Sequence, residues 1–342
     1  MKGPAPMPAF AKPGQDILWK AGIRLMIGWE GTGAREPLAL IEELAPAGLV
    51  FFRRNYPPGG GPELADQMGE LQRRSISLWG RPLLLAMDDE GGTVKRLPPP
   101  HAQLPGAPEQ AGLGPGPIRA MARSAGAELR SLGFNLNLAP VLDLSVPGGI
   151  MSKRSYGEDP QTVIAMARAF IGGFGEAGLF TCAKHFPGLG AARVDPHDTL
   201  PTVPLNASAL APHLSPFRAL IGEGLPMVMT SHCSYPGLGL ATISTFSAAL
   251  IDILRDDLGF GGLALSDDLE MGAVAKNVSL GEAASSAILA GHDLALVCRE
   301  RALIDEAHRA LSADAIDGHL KSPRYAAGLA RLEAFLGGLP AP

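Results

Sequence analysis

The chain has few cysteines and none in a paired spacing. Its 342 residues include Cys182, Cys233 and Cys298, each in or beside an apolar run and none in a CxxC arrangement. A sparse, odd set of this kind argues against a disulfide framework and a zinc site, and it is typical of a reducing compartment. We therefore expect three buried structural cysteines and a cytoplasmic protein.

Long apolar runs and a strong excess of one charge are also absent. No uninterrupted apolar stretch of about 18 residues occurs, so we expect no membrane-spanning helix. A formal net charge of −5 and a pI near 5.9 leave no electrostatic footprint for nucleic acid or an anionic membrane. The N-terminal stretch is proline-rich and lacks the apolar core of a secretory signal, so we predict an irregular extension over residues 1–20.

What the chain does have is a regular alternation of short apolar runs with segments of helical periodicity. The predicted strands are Arg24–Gly28, Gly48–Arg53, Pro82–Asp88, Asn135–Asp143, Phe180–Phe186, Pro226–Ser231, Gly262–Asp267 and Asp293–Cys298. The predicted helices are Pro37–Leu44, Pro62–Leu78, Pro117–Leu132, Pro160–Glu176, Ala207–Glu223, Ser247–Leu258, Ser279–Ala290 and Arg301–Leu311. The Pro/Gly-rich stretches 99–116 and 144–159 are predicted to be long loops, and the tail after Ser322 one more surface helix.

Eight such alternations with continuously apolar strands predict an α/β fold with a parallel sheet. Eight is also the number that closes a TIM (β/α)8 barrel, and barrels of this length commonly form one domain. We therefore predict a single catalytic barrel domain over residues 1–342. A doubly wound open sheet is the competing architecture, but no GxGxxG follows the first predicted strand.

Polar residues follow these predicted strands where each strand ends. They are Asp88 and Glu90 after the third strand, Asp143 after the fourth, Lys184 and His185 after the fifth, Ser231 and His232 after the sixth, and Asp267 and Asp268 after the seventh. Active sites of TIM barrels are built at the C-terminal ends of the strands. The placement predicts one polar site at that end of the barrel.

Two adjacent acids end the seventh predicted strand. Neighbouring residues on a strand point to opposite sides, so we expect one carboxylate to face the barrel axis. That carboxylate, assigned to Asp267, is a candidate covalent nucleophile for a glycosidic carbon. The other polar residues, Asp268 or Ser266, are expected to cap the helix that follows.

Three consecutive acids, 88–90, follow the third strand. They repel one another unless they bind a polyhydroxy ligand, a cation or neighbouring basic side chains, and a carboxylate at Asp88 can accept hydrogen bonds from sugar hydroxyls. A metal is the rival interpretation, but the histidines lack a compact ligand spacing, and no metal or other cofactor is expected. Arg154, Lys184 and His185 are expected to contribute further hydrogen-bond donors.

Asp195 and His197 lie two residues apart in a glycine-flanked segment. In an extended loop their side chains point to the same side. An aspartate that fixes the tautomer of an imidazole and supports its protonated form makes that histidine a usable acid or base near neutral pH.

These segments closely resemble glycoside hydrolase family 3, in its single-domain bacterial β-N-acetylhexosaminidase branch of cell-wall recycling. The similar segments, which run in the family's order along most of the chain, are DDEGGTVKR (88–96), NLAPVLD (137–143), RSYGEDP (154–160), KHFPG (184–188) with DPH (195–197), VMTSHCSYP (228–236) and LGFGGLALSDDLEMGA (258–273).

The resemblance implies a TIM barrel that releases terminal β-linked N-acetylglucosamine with retention of configuration. It implies Asp267 as the nucleophile and His197, supported by Asp195, as the acid/base. It also implies substrate contacts from Asp88, Arg96, Arg154, Lys184 and His185. The implied partner is a small muropeptide-type carbohydrate, with no nucleic acid or membrane, and a monomer is favoured.

The chain departs from the family pattern at Leu189, where a second histidine is usual, and at Pro196, where a serine is common. Losing the imidazole removes a donor and an acceptor, so loop anchoring or substrate range can differ. Two alternatives to the hexosaminidase therefore stay open. One is a family member of shifted specificity, a broader β-glycosidase or a phosphorylase, and the other is a catalytically silent sugar-binding protein.

Overall fold

The computed structural model of the protein describes residues 15–317 and 322–340. Eight parallel strands close a barrel in chain order, with the eighth pairing with the first. The strands are β1 (Leu25–Ile27), β2 (Gly48–Phe51), β3 (Leu84–Met87), β4 (Leu136–Asn137), β5 (Phe180–Phe186), β6 (Met227–Thr230), β7 (Leu263–Asp268) and β8 (Leu294–Val297). The predicted α/β class and TIM barrel are confirmed.

Helices connect the strands around the outside. They are α1 (Gln15–Gly22), α2 (Arg35–Leu44), α3 (Gly60–Trp79), α4 (Ala107–Leu113), α5 (Pro115–Ser131), α6 (Pro160–Glu176), α7 (Ala207–Gly222), α8 (Ala248–Asp252), α9 (Gly272–Ala275), α10 (Leu280–Ala290), α11 (Arg301–Asp317) and α12 (Pro323–Gly337). Among the described residues, none of these helices combines the length and apolar character needed to cross a lipid bilayer.

Strand β4 is much shorter than the predicted Asn135–Asp143. Regular pairing ends at Asn137, and Pro140, which has no N–H to donate, interrupts the ladder beyond it. The segment nevertheless stays beside β5, because Lys184 donates its backbone N–H to the carbonyl of Pro140 and accepts that of Leu142. Asp143 is thereby carried to the C-terminal end of the barrel without a continuous strand.

Three helices form where none was predicted, namely α1, α4 and the short α9. Helix α1 covers Gln15–Gly22, so the irregular extension predicted for residues 1–20 is wrong for residues 15–20, while residues 1–14 lie outside the described ranges. Helix α4 lies inside the predicted loop 99–116. Pro108 stands in its first turn, which tolerates a missing N–H, and Glu109 accepts the backbone N–H of Gly106 at 3.0 Å.

The predicted helix Ser247–Leu258 is divided. Helix α8 ends at Asp252, and a wider π-helical turn, Ile253–Asp257, follows. This turn carries Arg255, whose guanidinium donates to the carbonyl of Phe260 and pairs with Asp293 at 2.6 Å.

Helix α12 lies across the N-terminal end of the barrel, opposite the strand ends that carry the polar residues. Arg24, just before β1, donates to the carbonyl of Tyr325 at 2.6 Å, and Arg331 pairs with Asp293, just before β8, at 3.0 Å. The helix predicted after Ser322 is confirmed, but it is not only a surface helix, because one of its faces is buried.

Candidate active site

A cavity of about 330 Å³ opens at the C-terminal ends of the strands. Its lining includes all eight residues predicted to be catalytic or to contact substrate: Asp88, Arg96, Arg154, Lys184, His185, Asp195, His197 and Asp267. Part of the wall is apolar and was not predicted, because nothing in the sequence distinguishes Phe52, Ile150, Met151 and Met271 from core residues. The residues named here come from six separate chain segments, which the structure brings together around one cavity.

A network of ion pairs lies in the wall of the cavity. The buried ammonium of Lys184 contacts Asp88 Oδ1 at 2.7 Å and Glu90 Oε1 at 2.8 Å. Arg96 donates a hydrogen bond of 2.5 Å to the other oxygen of Asp88. Arg154 donates two hydrogen bonds, of 2.9 and 2.7 Å, to Glu90. Each carboxylate is thus shared between Lys184 and one arginine, which fixes all five side chains in place.

The network also fixes the charges of its members. Burial would raise the pKa of Asp88 and Glu90, but the neighbouring cations outweigh it, holding the pKa of Asp88 far below its usual range and lowering that of Glu90 to about 2. Burial would lower the pKa of Lys184 and Arg154, yet the two carboxylates raise both. All four groups stay ionised at neutral pH.

Glu90 is a site residue that sequence reasoning named only as one of the strand-end acids. Its partners stand 64 and 94 positions further along the chain, so no local pattern shows the pairing. The middle acid of the three, Asp89, turns away from the cavity. Asn137 binds both its backbone N–H and its carbonyl at 3.0 Å, and burial raises the pKa of Asp89 to about 7.

Both acids at the end of β7 line the cavity, whereas one was expected to face it. Asp267 accepts the N–H of Asp268 at 2.8 Å, and Asp268 accepts that of Glu270 at 3.1 Å. Burial, with the nearby charges of Glu270 and Asp267, raises the pKa of Asp268 to about 7.

The predicted helix cap at this strand end is wrong. Helix α9 begins only after Met271, without a side-chain cap. Asp268 instead closes the tight turn to Glu270, and Ser266 accepts the N–H of Leu296 on β8 at 3.1 Å. Both polar groups therefore brace the strand ends.

A buried aspartate–histidine pair lies at the cavity wall, where His185 lines the cavity and Asp143 stands behind it. The carboxylate of Asp143 is fully buried and contacts Nδ1 of His185 at 2.7 Å. It also accepts the backbone N–H of Leu189 at 2.5 Å. Loop anchoring was expected to be open to change at Leu189. The anchoring bond in fact comes from the backbone of this residue, and its side chain lines the cavity.

A second aspartate–histidine pair stands on the loop after β5. Nδ1 of His197 lies 2.7 Å from Oδ1 of Asp195, and the two side chains are 68% and 54% exposed. Asp195 also accepts the backbone N–H of His197 at 2.9 Å, and these two contacts outweigh partial burial and lower the pKa of Asp195. Because Nδ1 is engaged, Nε2 is the nitrogen left to exchange a proton with a ligand.

Ser231 and His232, predicted beside this site, are fully buried and brace the strand ends. Nε2 of His232 contacts the carbonyl of Asp268 at 3.0 Å, and its Nδ1 contacts Thr245 at 2.7 Å. His232 therefore supports the backbone that carries the two acids of β7.

Known proteins share the sequence and the fold of this chain. Residues 30–332 match the model of the glycosyl hydrolase family 3 N-terminal domain. A β-hexosaminidase of Alkalilimnicola ehrlichii is 35% identical over 285 residues, which cover 80% of each chain.

Two solved structures have the same fold. A β-N-acetylhexosaminidase of Beutenbergia cavernae superposes with a TM-score of 0.86 at 29% identity, covering 94% of this chain and 98% of that one. A family 3 β-N-acetylglucosaminidase of Paenibacillus sp. superposes with a TM-score of 0.87 at 34% identity over 92% of this chain, which spans 61% of that longer protein. By sequence and by fold, this chain belongs to glycoside hydrolase family 3.

Proposed function

We propose that the protein is a retaining exo-β-N-acetylhexosaminidase. It removes terminal, non-reducing β-linked N-acetylglucosamine through a covalent intermediate on Asp267, with His197 as the acid/base. One observation carries the proposal: Asp267 and the Asp195–His197 pair line the same cavity as a network of ion-paired charged side chains. The related β-hexosaminidase and β-N-acetylglucosaminidase support the sugar specificity.

In the first step, a carboxylate oxygen of Asp267 attacks the anomeric carbon. The carbon–oxygen bond to the leaving group breaks, and the departing oxygen takes the proton of His197 Nε2. Asp267 is suited to the attack because it stands at the end of β7, where its carboxylate is held by the N–H of Asp268 and faces the cavity. The product is a glycosyl ester of Asp267 and a free alcohol.

In the second step, His197 accepts a proton from water as that water attacks the anomeric carbon of the glycosyl ester. The bond to Asp267 breaks and the sugar leaves with its original configuration. Asp195 keeps Nδ1 of His197 protonated and stabilises the imidazolium that forms in this step. A histidine whose unperturbed pKa is about 6.5 can both donate and accept near neutral pH.

The ion-pair network binds the sugar hydroxyls. Asp88 keeps 13% of its side chain exposed and can accept from hydroxyl groups, while Arg96 and Arg154, 26% and 27% exposed, can donate to them. Lys184 is 3% exposed and presents little beyond the edge of its ammonium. Because these groups are ionised and fixed before substrate arrives, binding requires little rearrangement.

The natural substrate that we propose is a fragment of peptidoglycan, N-acetylglucosamine linked to anhydro-N-acetylmuramic acid with or without peptide, cleaved in the cytoplasm. The three free, buried cysteines suit a reducing compartment.

Trapping the intermediate tests the nucleophile directly. A 5-fluoro N-acetylglucosaminyl fluoride keeps the acetamide but slows both steps, so we expect one glycosyl adduct per chain, mapped by mass spectrometry to the peptide that contains Asp267. Asp267→Ala should form no adduct and should lose turnover, whereas the matched Asp268→Asn variant should still be labelled. Labelling of another residue would contradict the assignment, and turnover without any adduct would favour attack by the substrate's own acetamide.

The acceptor is tested separately. We expect hydrolysis of an aryl N-acetyl-β-glucosaminide to proceed at the same rate with and without inorganic phosphate, and faster than that of the aryl β-glucoside. Stimulation by phosphate, with release of a sugar phosphate, would instead identify a phosphorylase. Equal rates on both sugars would identify a broader glycosidase.

A further inference from the structure

The loop that carries the Asp195–His197 pair rests on the segment that follows β7. The backbone N–H of Gly272 donates to the carbonyl of His197 at 3.1 Å, and that of Ala273 donates to the carbonyl of Pro196 at 2.9 Å. The ammonium of Lys276 donates to the carbonyl of Asp198 at 2.5 Å. Three consecutive loop carbonyls are therefore bound by one short segment, residues 272–276.

Gly272 allows this close approach. A Cβ atom at this position would lie 2.5 Å from the carbonyl oxygen of His197 and 2.8 Å from that of Asp198. Both neighbours are backbone atoms, so any side chain at 272 would push the loop away rather than turn a flexible group aside. The contact requires glycine for its closeness.

The docked loop is otherwise exposed. His197 and Asp195 keep most of their side-chain surface in solvent, and Val194 and Asp198 beside them are exposed as well. Pro196, at the centre of the docking contact, is buried. The contacts of residues 272–276 are therefore well placed to decide where His197 stands.

The same segment is the direct continuation of the strand that ends in Asp267. Gly272 follows Asp267 by five residues, across the turn that Asp268 closes onto Glu270. A loop that carries the acid/base and binds here has a fixed position relative to the nucleophile. The reason is that the loop contacts the segment that directly follows β7, and Asp267 stands at the end of β7.

We propose that Gly272 and Lys276 are positioning residues that dock the His197 loop beside the nucleophile for proton transfer. This inference rests on the proposed function, since it concerns the placement of the proposed acid/base. Neither residue touches substrate. Their effect is expected in how strongly the rate depends on protonation of the leaving group.

Leaving-group dependence measures that effect. In Gly272→Ala, we expect kcat/KM for phenyl N-acetyl-β-glucosaminide to fall at least about tenfold more than for the 2,4-dinitrophenyl substrate, which departs with little protonation. His197→Ala should give the largest such difference. Lys276→Met, which removes one hydrogen bond to the loop, should give a smaller difference of about threefold.

Matched controls separate positioning from a general defect. Gly261→Ala makes the same chemical change in the connection before β7, where a Cβ meets no atom within 4 Å. Lys20→Met makes the same chemical change as Lys276→Met, but on α1, away from the loop. Both controls should keep the wild-type ratio of kcat/KM between the two substrates. Variants should be compared only where their melting temperatures equal that of wild type.

A second readout does not depend on activity. Arg193 is exposed on the same loop, so trypsin cleavage of the Arg193–Val194 bond reports whether the loop is docked. We expect cleavage at this bond to be several-fold faster in Gly272→Ala than in wild type and unchanged in Gly261→Ala. If Gly272→Ala does not fold, Lys276→Met provides both measurements.

The outcomes distinguish this inference from the proposed function. If both docking variants keep the wild-type substrate ratio and the wild-type rate of cleavage after Arg193, the positioning role is wrong even though hydrolysis stands. If the wild-type protein hydrolyses neither substrate, the proposed function fails, and faster cleavage in Gly272→Ala would still support the docking contact.

Discussion

Two aspartate–histidine pairs with the same contact distance occupy opposite environments in this protein. Nδ1 of His185 lies 2.7 Å from Asp143, with side chains 5% and 0% exposed. Nδ1 of His197 lies 2.7 Å from Asp195, with side chains 68% and 54% exposed. The buried carboxylate also holds the backbone of Leu189, whereas the exposed one binds its own histidine twice.

The difference shows that the pair alone does not define a role. A buried pair is costly to separate, because the remaining group would be left unpaired away from water, so it suits a fixed anchor. An exposed pair is stabilised little by its contact, so separating it costs little. Burial therefore suits Asp143 and His185 to anchoring, and the exposure of Asp195 and His197 is compatible with the proton transfer that we propose for them.

The largest effect is expected from breaking the buried pair. Asp143→Ala should lower the free energy of unfolding by about 3–5 kcal/mol, because it leaves His185 and the N–H of Leu189 without their acceptor. The same change in the exposed pair, Asp195→Ala, should lower it by less than about 1 kcal/mol. Urea denaturation followed by circular dichroism measures both, and equal losses would refute the comparison.

An effect of intermediate size is expected on catalysis, with the order of the pairs reversed. His197→Ala should lower kcat/KM for a substrate with a poor leaving group by about 100-fold or more while the melting temperature stays near that of wild type. His185→Ala should lower the melting temperature as well as activity. Steady-state kinetics and thermal melts on the same preparations test this, and a large loss of stability in His197→Ala would count against its exposed placement.

A smaller effect, on the pH dependence of stability, is expected at Asp268. Unlike Asp143 and Asp195, this carboxyl has the charges of Glu270 and Asp267 as neighbours and no imidazole partner. Its folded pKa of about 7 lies above the unfolded value of about 3.9, so the folded state binds more protons between these values and stability falls as pH rises from about 4 to 7. Asp268→Asn lacks this ionisation and should raise the melting temperature relative to wild type more at pH 8 than at pH 5. A difference in melting temperature between the two proteins that does not change with pH would show that the pKa of Asp268 is not raised.

Much of this arrangement could be predicted from sequence, since it depends on chain order. Parallel strands place their C-terminal ends together. A polar residue at the end of a strand therefore indicates the site even when no interatomic distance is known. Asp267 at the end of β7 and Lys184 near the end of β5 were located in this way, and β5 was predicted with the bounds it has.

Other features depend on contacts that no local pattern encodes. The sharing of Glu90 between Lys184 and Arg154 joins three segments, and periodicity carries no information about such pairs. Helix α4 was missed for a different reason, because the proline and glycine residues that indicated a loop stand at its first turn and its ends. Burial separated the two histidine pairs only once the structure was known.

The bond between Asp143 and the amide of Leu189 has a practical consequence. Every amino acid except proline has that N–H. Residue 189 can therefore be exchanged in a mutant library without losing the hydrogen bond to Asp143 that anchors the loop. Its side chain lines the cavity, so such a library would vary the shape of the cavity while leaving the proposed reacting groups intact. Position 189 is therefore a natural starting point for altering which glycosides this protein accepts.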